Sequence, residues 1–221
     1  MLIAFSECAA IVQALHGVRV EKVFHVGAHL GEEAGAYAAS GVKKVTWFEA
    51  NPVLIGPLME NLKRYSIEHY VIQGALFDKE ASLILNVTNN FQSSSLFRLK
   101  KHADYYPEII VTSTVQVTTH RLDAIIQNAP PILPWHDFDL INIDTQGAEL
   151  AILRGLGDFI AMPSLKAIYV EVNSEPLYDG IPLIGDMDAF LASVGFARVK
   201  TVWTGSGWGD ALYMRAVEQT I

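Results

Sequence analysis

The run Lys22-Val23-Phe24-His25-Val26-Gly27-Ala28-His29-Leu30-Gly31, with Glu49 closing the next apolar run Val45-Thr46-Trp47-Phe48, decides how this chain folds. A β-branched and aromatic segment that enters small residues reads as a strand, a tight turn and the start of a helix. Glycine at such a turn lets the backbone approach a ligand closely, and an acid about 20 residues on can accept both hydroxyls of a ribose. An adenosine-bearing ligand is the inference. The full G-x-G-x-x-G that cradles a pyrophosphate is missing, which favours an adenosyl ligand without phosphates over a dinucleotide. A tight turn beside a surface glutamate is the plainer alternative.

A second segment, Asp139-Leu-Ile-Asn-Ile-Asp144-Thr-Gln-Gly-Ala-Glu149, delivers Asp144 from a buried strand to a glycine turn. A carboxylate there can orient a reacting group, accept a proton or ligate a metal. It can also simply cap the following helix, with Glu149 in the first turn favoured by the helix dipole.

Around these segments, strands and helices alternate. A helix is expected over about residues 4–16, then a strand 22–26, a helix 32–39, a strand 45–49, a helix from Pro52 to about Arg64, and a strand at Tyr70–Gln73. The alternation then breaks: Ala81–Val87 and Ile109–Thr118 read as extra strands around a polar stretch with Ser93, Ser94 and Ser95, giving a substrate-side insertion of about 78–120. A short helix to about Gln127, a Pro130–Pro134 surface connection, a strand 138–144, a helix 147–155, a strand 165–172 and a helix 183–194 follow. Two closing strands, 197–203 and 211–215, flank a glycine-rich turn suited to a hairpin. This order implies an α/β fold with a mostly parallel sheet, an antiparallel edge strand, and ligands beyond the carboxyl ends of the strands.

Composition agrees. The chain has 221 residues, 51% of them hydrophobic and 18% charged, and is expected to fold as a single domain over 1–221. A formal charge of -8 gives no footprint for phosphate backbones or anionic membranes, so neither nucleic acid nor membrane is an expected partner. One cysteine, Cys8, rules out an internal disulfide. The first residues lack a basic leader and no run is long enough to span a bilayer, so the expected compartment is the cytoplasm.

Taken in order, Val26–Gly31, Glu49-Ala50-Asn51-Pro52, Gly74-Ala75-Leu76, Leu122-Asp123, Asp144-Thr-Gln-Gly-Ala-Glu149 and Leu153-Arg-Gly155 resemble the FkbM-type family of S-adenosylmethionine-dependent methyltransferases. The likeness covers about residues 22–172. It implies a class I Rossmann-like fold with a seven-stranded central sheet, an antiparallel C-terminal hairpin and a small β insertion. It also implies S-adenosyl-L-methionine as cofactor, S-adenosylhomocysteine as product, and methyl transfer, usually to oxygen of a small molecule or glycan. On this resemblance Gly27, Ala28, His29 and Gly31 pack the cofactor, Glu49 with Ala50 and Asn51 holds the ribose, Gly74, Ala75 and Leu76 border the adenine, and Asp144 faces the transfer site. Three positions depart from the family pattern: its loop acid is His25 here, its Asn is His29, and the Glu two residues after the strand acid is Gln146.

Asp144 is the first candidate base and His29 the second, with a loop imidazole bonded to backbone as the simpler reading of His29. His120 reads as a structural residue at a helix start. A divalent metal on Asp144, Glu171 and Asn173 is possible but not favoured against ordinary strand-end hydrogen bonding. Ser93–Ser95 can line an acceptor pocket or form a solvated loop. Tyr105, Tyr106, Trp135, Trp203 and Trp208 offer flat faces for a substrate but more often pack. A nicotinamide-dependent oxidoreductase and a non-catalytic S-adenosylmethionine-binding module are the competing functions.

Overall fold

Five parallel strands and a C-terminal hairpin build the main sheet of the computed structural model, which describes residues 1–128 and 137–217. The strands are β1 (Lys22–Val26), β2 (Lys44–Glu49), β3 (Glu68–Gln73), β7 (Leu140–Ile143), β8 (Ala167–Asn173), β9 (Phe196–Trp203) and β10 (Trp208–Arg215), in spatial order β3-β2-β1-β7-β8-β10-β9. Chain order reverses direction at β1, so the carboxyl ends of β1 and β7 flank the crevice where ligands bind in such sheets. A second sheet, in the order β4-β6-β5, joins β4 (Ala75–Leu76), β5 (Ala81–Thr88) and β6 (Val111–His120); it is the expected insertion.

Helices cover both faces. On one side α1 (Phe5–His16), α2 (Ala34–Ala39) and α3 (Ile55–Leu62) pack Val12, Tyr37 and Leu58 onto Val23, Val45 and Trp47. On the other, α5 (Leu122–Asn128), α6 (Glu149–Gly155) and α7 (Ile184–Ser193) pack Ile126, Leu153 and Leu191 onto Phe24, Ile141 and Ile168. A short α4 (His102–Tyr105) lies in the insertion. Helix α1 shows the local logic: Phe5, Cys8 and Val12 recur on one face, and Gly17 ends it in the left-handed region, its N–H donating to the Gln13 carbonyl.

The antiparallel strand is not at the edge. β10 lies between β8 and β9, antiparallel to both, and β9 takes the edge. Burial explains the order: Gly209–Met214 are all buried, whereas Ala197, Arg198 and Val199 are exposed and tolerate an unpaired side. The residues read as a proline-rich connection, Pro130, Pro131 and Pro134, and Trp135 with them, lie outside the described part. His120 ends a strand rather than opening a helix, pairing with Leu76.

Candidate active site

Alternation along the buried strands makes the site. Register places His25 opposite Asn142, Asn142 opposite Tyr169, Glu171 opposite Asp210 and Asn173 opposite Trp208, so one face of four neighbouring strands is polar near its carboxyl end. Strands covered on both faces are normally apolar throughout, and this polar file is the departure that marks the cleft.

A slot opens beside it, with about 650 Å³ of empty space counting its mouth, within the range of small-molecule sites of about 300–1,000 Å³. Gly27, His29, Glu49, Ala50, Asn51, Gly74, Ala75, Leu76 and Asp144 all border it. Two expected lining residues do not. Ala28 is buried in the core under α1–α3, and Gly31, at φ +73°, has its missing side chain aimed at Leu58 and Leu62 of α3. Both shape the turn from beneath.

The turn at Gly27 admits glycine alone: φ is +87°, and a Cβ would lie 1.8 Å from the Asp144 carbonyl oxygen. Glu49 is 7% exposed, so it is no surface residue. Its Oε2 accepts from the His29 N–H at 2.8 Å and its Oε1 from the Asn51 N–H at 2.7 Å. Burial raises its carboxyl, and those amides oppose the rise.

The two acids of Asp144–Glu149 divide the work. Glu149, buried at the first position of α6, accepts from the Thr145 and Gly147 N–H groups at 2.8 and 3.0 Å and so ties down the turn that leads into the helix. Asp144 is left facing the cleft, which accounts for its exposure. Although it opens onto the cleft, the walls around it displace enough water to push its carboxyl up to about 6, opposed by the Gln146 amide and reinforced by the charges of Asp210 and Glu33.

Gln146 is the hub, held at φ 59° where few non-glycine residues sit. Its Nε2 donates to Asp144 Oδ1 and to Glu171 Oε2, each at 2.8 Å, and its Oε1 accepts from Tyr178 at 2.7 Å. Its carbonyl accepts from Ser95 Oγ at 2.6 Å, so Ser95 is structural, whereas Ser94 borders the slot. Burial, then Asp144 and Glu149, raise the Glu171 carboxyl well above its usual range.

His25 stands where the family pattern has an acid. It is buried against Tyr37, with Nδ1 2.8 Å from the Tyr37 hydroxyl, and desolvation lowers it to about 3, so it is neutral. His29 differs. Burial opposes its protonation, but the 2.6 Å bond from Nδ1 to Glu32 and the charges of Glu32, Glu49 and Glu33 raise its pKa. Among the described residues no cluster of three or more His, Cys, Asp or Glu side chains is placed to hold a metal ion.

A wider chamber, about 1,340 Å³ counting open space, adjoins the slot at Gly27, His29, Gln92, Asp144 and Gln146. Ser93, Tyr106 and Trp208 border it, while Tyr105 and Trp203 are exposed elsewhere.

The model of the methyltransferase FkbM domain matches residues 25–197. The chain belongs to the FkbM family of S-adenosylmethionine-dependent methyltransferases. No curated protein matches it. Among solved structures it is similar to the magnesium protoporphyrin IX methyltransferase of Synechocystis PCC 6803 with bound S-adenosylhomocysteine, at 11% identity and a TM-score of 0.52, over 96% of this chain and 82% of that one. TrmK of M. capricolum, also with S-adenosylhomocysteine, gives 8% identity and 0.52 over 97% and 69%. Ribosomal protein L11 methylase of Lactobacillus delbrueckii subsp. bulgaricus gives 13% and 0.52 over 96% and 79%. At these identities the likeness is one of fold, the class I methyltransferase fold with its seven-stranded sheet.

This FkbM protein also carries cleft residues that motif reading passed over: Glu32, Glu33, Asn142, His102 and Asp210. The period-two polar positions in β7, β8 and β10 were the signal for Asn142 and Asp210. Nothing local marks His102, which arrives from the insertion. Among the described residues no helix is long and apolar enough to cross a membrane.

Proposed function

We propose that this FkbM protein transfers a methyl group from S-adenosylmethionine to a hydroxyl of a small molecule or glycan, its adenosyl end in the slot and its acceptor in the wider chamber. The observation that carries the reading is Glu49: a buried carboxylate at the slot edge, oriented by two backbone amides, with one hydrogen bond on each oxygen and capacity for more. The slot suits an adenosyl group in two further respects. Among the described residues a side chain at Gly74 would meet open space, and the buried Asn51 Nδ2 has no partner. Both sheets wall the cleft, so the chain is read as one catalytic unit.

When bound, S-adenosylmethionine supplies a methyl group on a positively charged sulfur. Phe48, Leu54, Leu76, Leu85 and Leu96 keep water from the base, and Glu49 holds the ribose hydroxyls. With His25 neutral, Glu33 and Glu32 supply the negative charge for the amino-acid end. Asp144 has one oxygen fixed by Gln146, leaving the other to accept the acceptor hydroxyl's proton; a carboxyl raised toward neutrality is a better base than an ordinary one. His29, its Nδ1 engaged by Glu32, is the second base candidate. The remaining acceleration comes from alignment of the acceptor.

Calorimetry tests this with S-adenosylhomocysteine and NAD in parallel. The expected result is saturable binding of the first alone, weakened by about 1–3 kcal/mol in Glu49→Ala as a charged hydrogen-bond partner is lost. No binding by folded, cofactor-free protein, or binding of NAD in its place, would overturn the reading.

A further inference from the structure

We infer that the wider chamber receives an acceptor that carries an organic ammonium group, an amino sugar or amino alcohol, rather than a neutral glycan; this rests on the methyltransferase reading above. Glu32, Glu33, Asp144, Glu171 and Asp210 border the chamber, and among the described residues no Lys or Arg does. The amino group of Met1 is taken up by Glu33 at 3.8 Å.

Position sets two of these acids toward the acceptor side. The glycine turn follows β1, while Glu171 lies on β8 and Asp210 on β10, two and three strands away. At about 4.8 Å per strand Asp210 lies roughly 14 Å across the sheet from that turn, while Glu171 shares the Gln146 amide with Asp144 and so stands where the donor and acceptor sides meet. Glu171 and Asp210 therefore remain for the acceptor.

Both are buried, 5% and 4% exposed, and each keeps an oxygen free among the described residues. Gln146 binds Oε2 of Glu171, and Tyr169 and Leu2 both bind Oδ2 of Asp210. Beside them Asn142, 2% exposed, gives its amide N–H to Tyr37 and leaves Oδ1 with no partner. Three unfilled acceptors on one face match a group with three N–H donors. Next to them the lining is aromatic: Trp208, two residues before Asp210 on β10, donates from Nε1 to the Tyr106 hydroxyl at 3.2 Å, fixing two rings that attract cations at their faces. Glu171 releases its proton to solvent when a cation is seated beside it, so these crowded buried acids favour a cation over an anion or a neutral isostere.

The test uses the full chain, with and without saturating S-adenosylhomocysteine, and two matched pairs of probes: ethanolamine against 1-propanol, and glucosamine against N-acetylglucosamine. Calorimetry is expected to show each cation bound at least about tenfold more tightly than its neutral partner. In the isosteric pair Glu171→Gln with Asp210→Asn that preference is expected to vanish, with the affinity for S-adenosylhomocysteine retained and the chain still folded by circular dichroism. Equal binding of the neutral partners, no binding of either cation, or a preference that survives the double variant would overturn the inference. Binding of S-adenosylhomocysteine without cation preference sinks this inference alone. Cation preference without S-adenosylhomocysteine binding sinks the methyltransferase reading and leaves the chamber's charge preference standing.

Discussion

Gln146 shows how much one side chain decides here. A glutamate in its place would set a third carboxylate beside Asp144 and Glu171, where the amide now donates to both. The neutral hub still leaves Glu171 buried beside like charges, so its carboxyl holds its proton to higher pH in the folded chain than in the unfolded one. The folded state then binds that proton more tightly, and the stability it contributes is full below the ordinary carboxylate range and lost as pH rises toward the folded value. Glu171→Gln removes this dependence. We expect the variant to unfold several degrees above the parent at about pH 8, with the gap closing near about pH 4, by thermal denaturation across pH. A gap that is constant, or that opens toward acid, would show that Glu171 is not held protonated by its surroundings. The pH readings compare variant with parent, so the opposing effect of His25, which is kept neutral by burial and costs stability as pH falls below about 6.5, cancels.

At the scale of elements, glycines distinguish structure from site. Gly155 ends α6, where a Cβ would lie 2.3 Å from the Phe77 carbonyl oxygen; backbone cannot yield as a flexible side chain can. Gly185, in α7, is followed by no proline and has nothing within 4 Å. Gly155→Ala is therefore expected to destabilise by about 2–3 kcal/mol through overpacking, and Gly185→Ala to stabilise by about 0.5–1 kcal/mol through helix propensity. Chemical denaturation measures both, and similar effects at the two positions would contradict the packing. The Leu153-Arg-Gly155 signature is thus a close contact between helix and chain. The elements themselves were legible because their periods are strong: the strand-helix alternation, the glycine ends and the hairpin turn all fall where expected. The place of β10 was not, since sequence reveals that two strands pair but not which of them meets β8. That choice belongs to burial, with the more apolar strand taking the interior.

Across the whole molecule, the slot was legible and the chamber was not. Glu49, Gly74 and Asp144 sit at strand ends in fixed order, so adjacency in the sheet brings them together without further information. Ala28 and Gly31 belong to the same motif yet face the core, because a turn has two sides and spacing does not say which residue lies on each. The chamber takes Glu33 from the glycine loop, Glu171 and Asp210 from distant strands, and His102 and Tyr106 from the insertion. No local pattern announces such an assembly. The polar file across β1, β7, β8 and β10 is its one trace in the sequence, visible only once strand order is known. The most direct measurement is a crystal structure of the protein with S-adenosylhomocysteine. The account predicts the adenine among Phe48, Leu54 and Leu76, both ribose hydroxyls within hydrogen-bond reach of Glu49, and the sulfur facing Asp144. Density for the ligand elsewhere, or a ribose with no contact to Glu49, would contradict it.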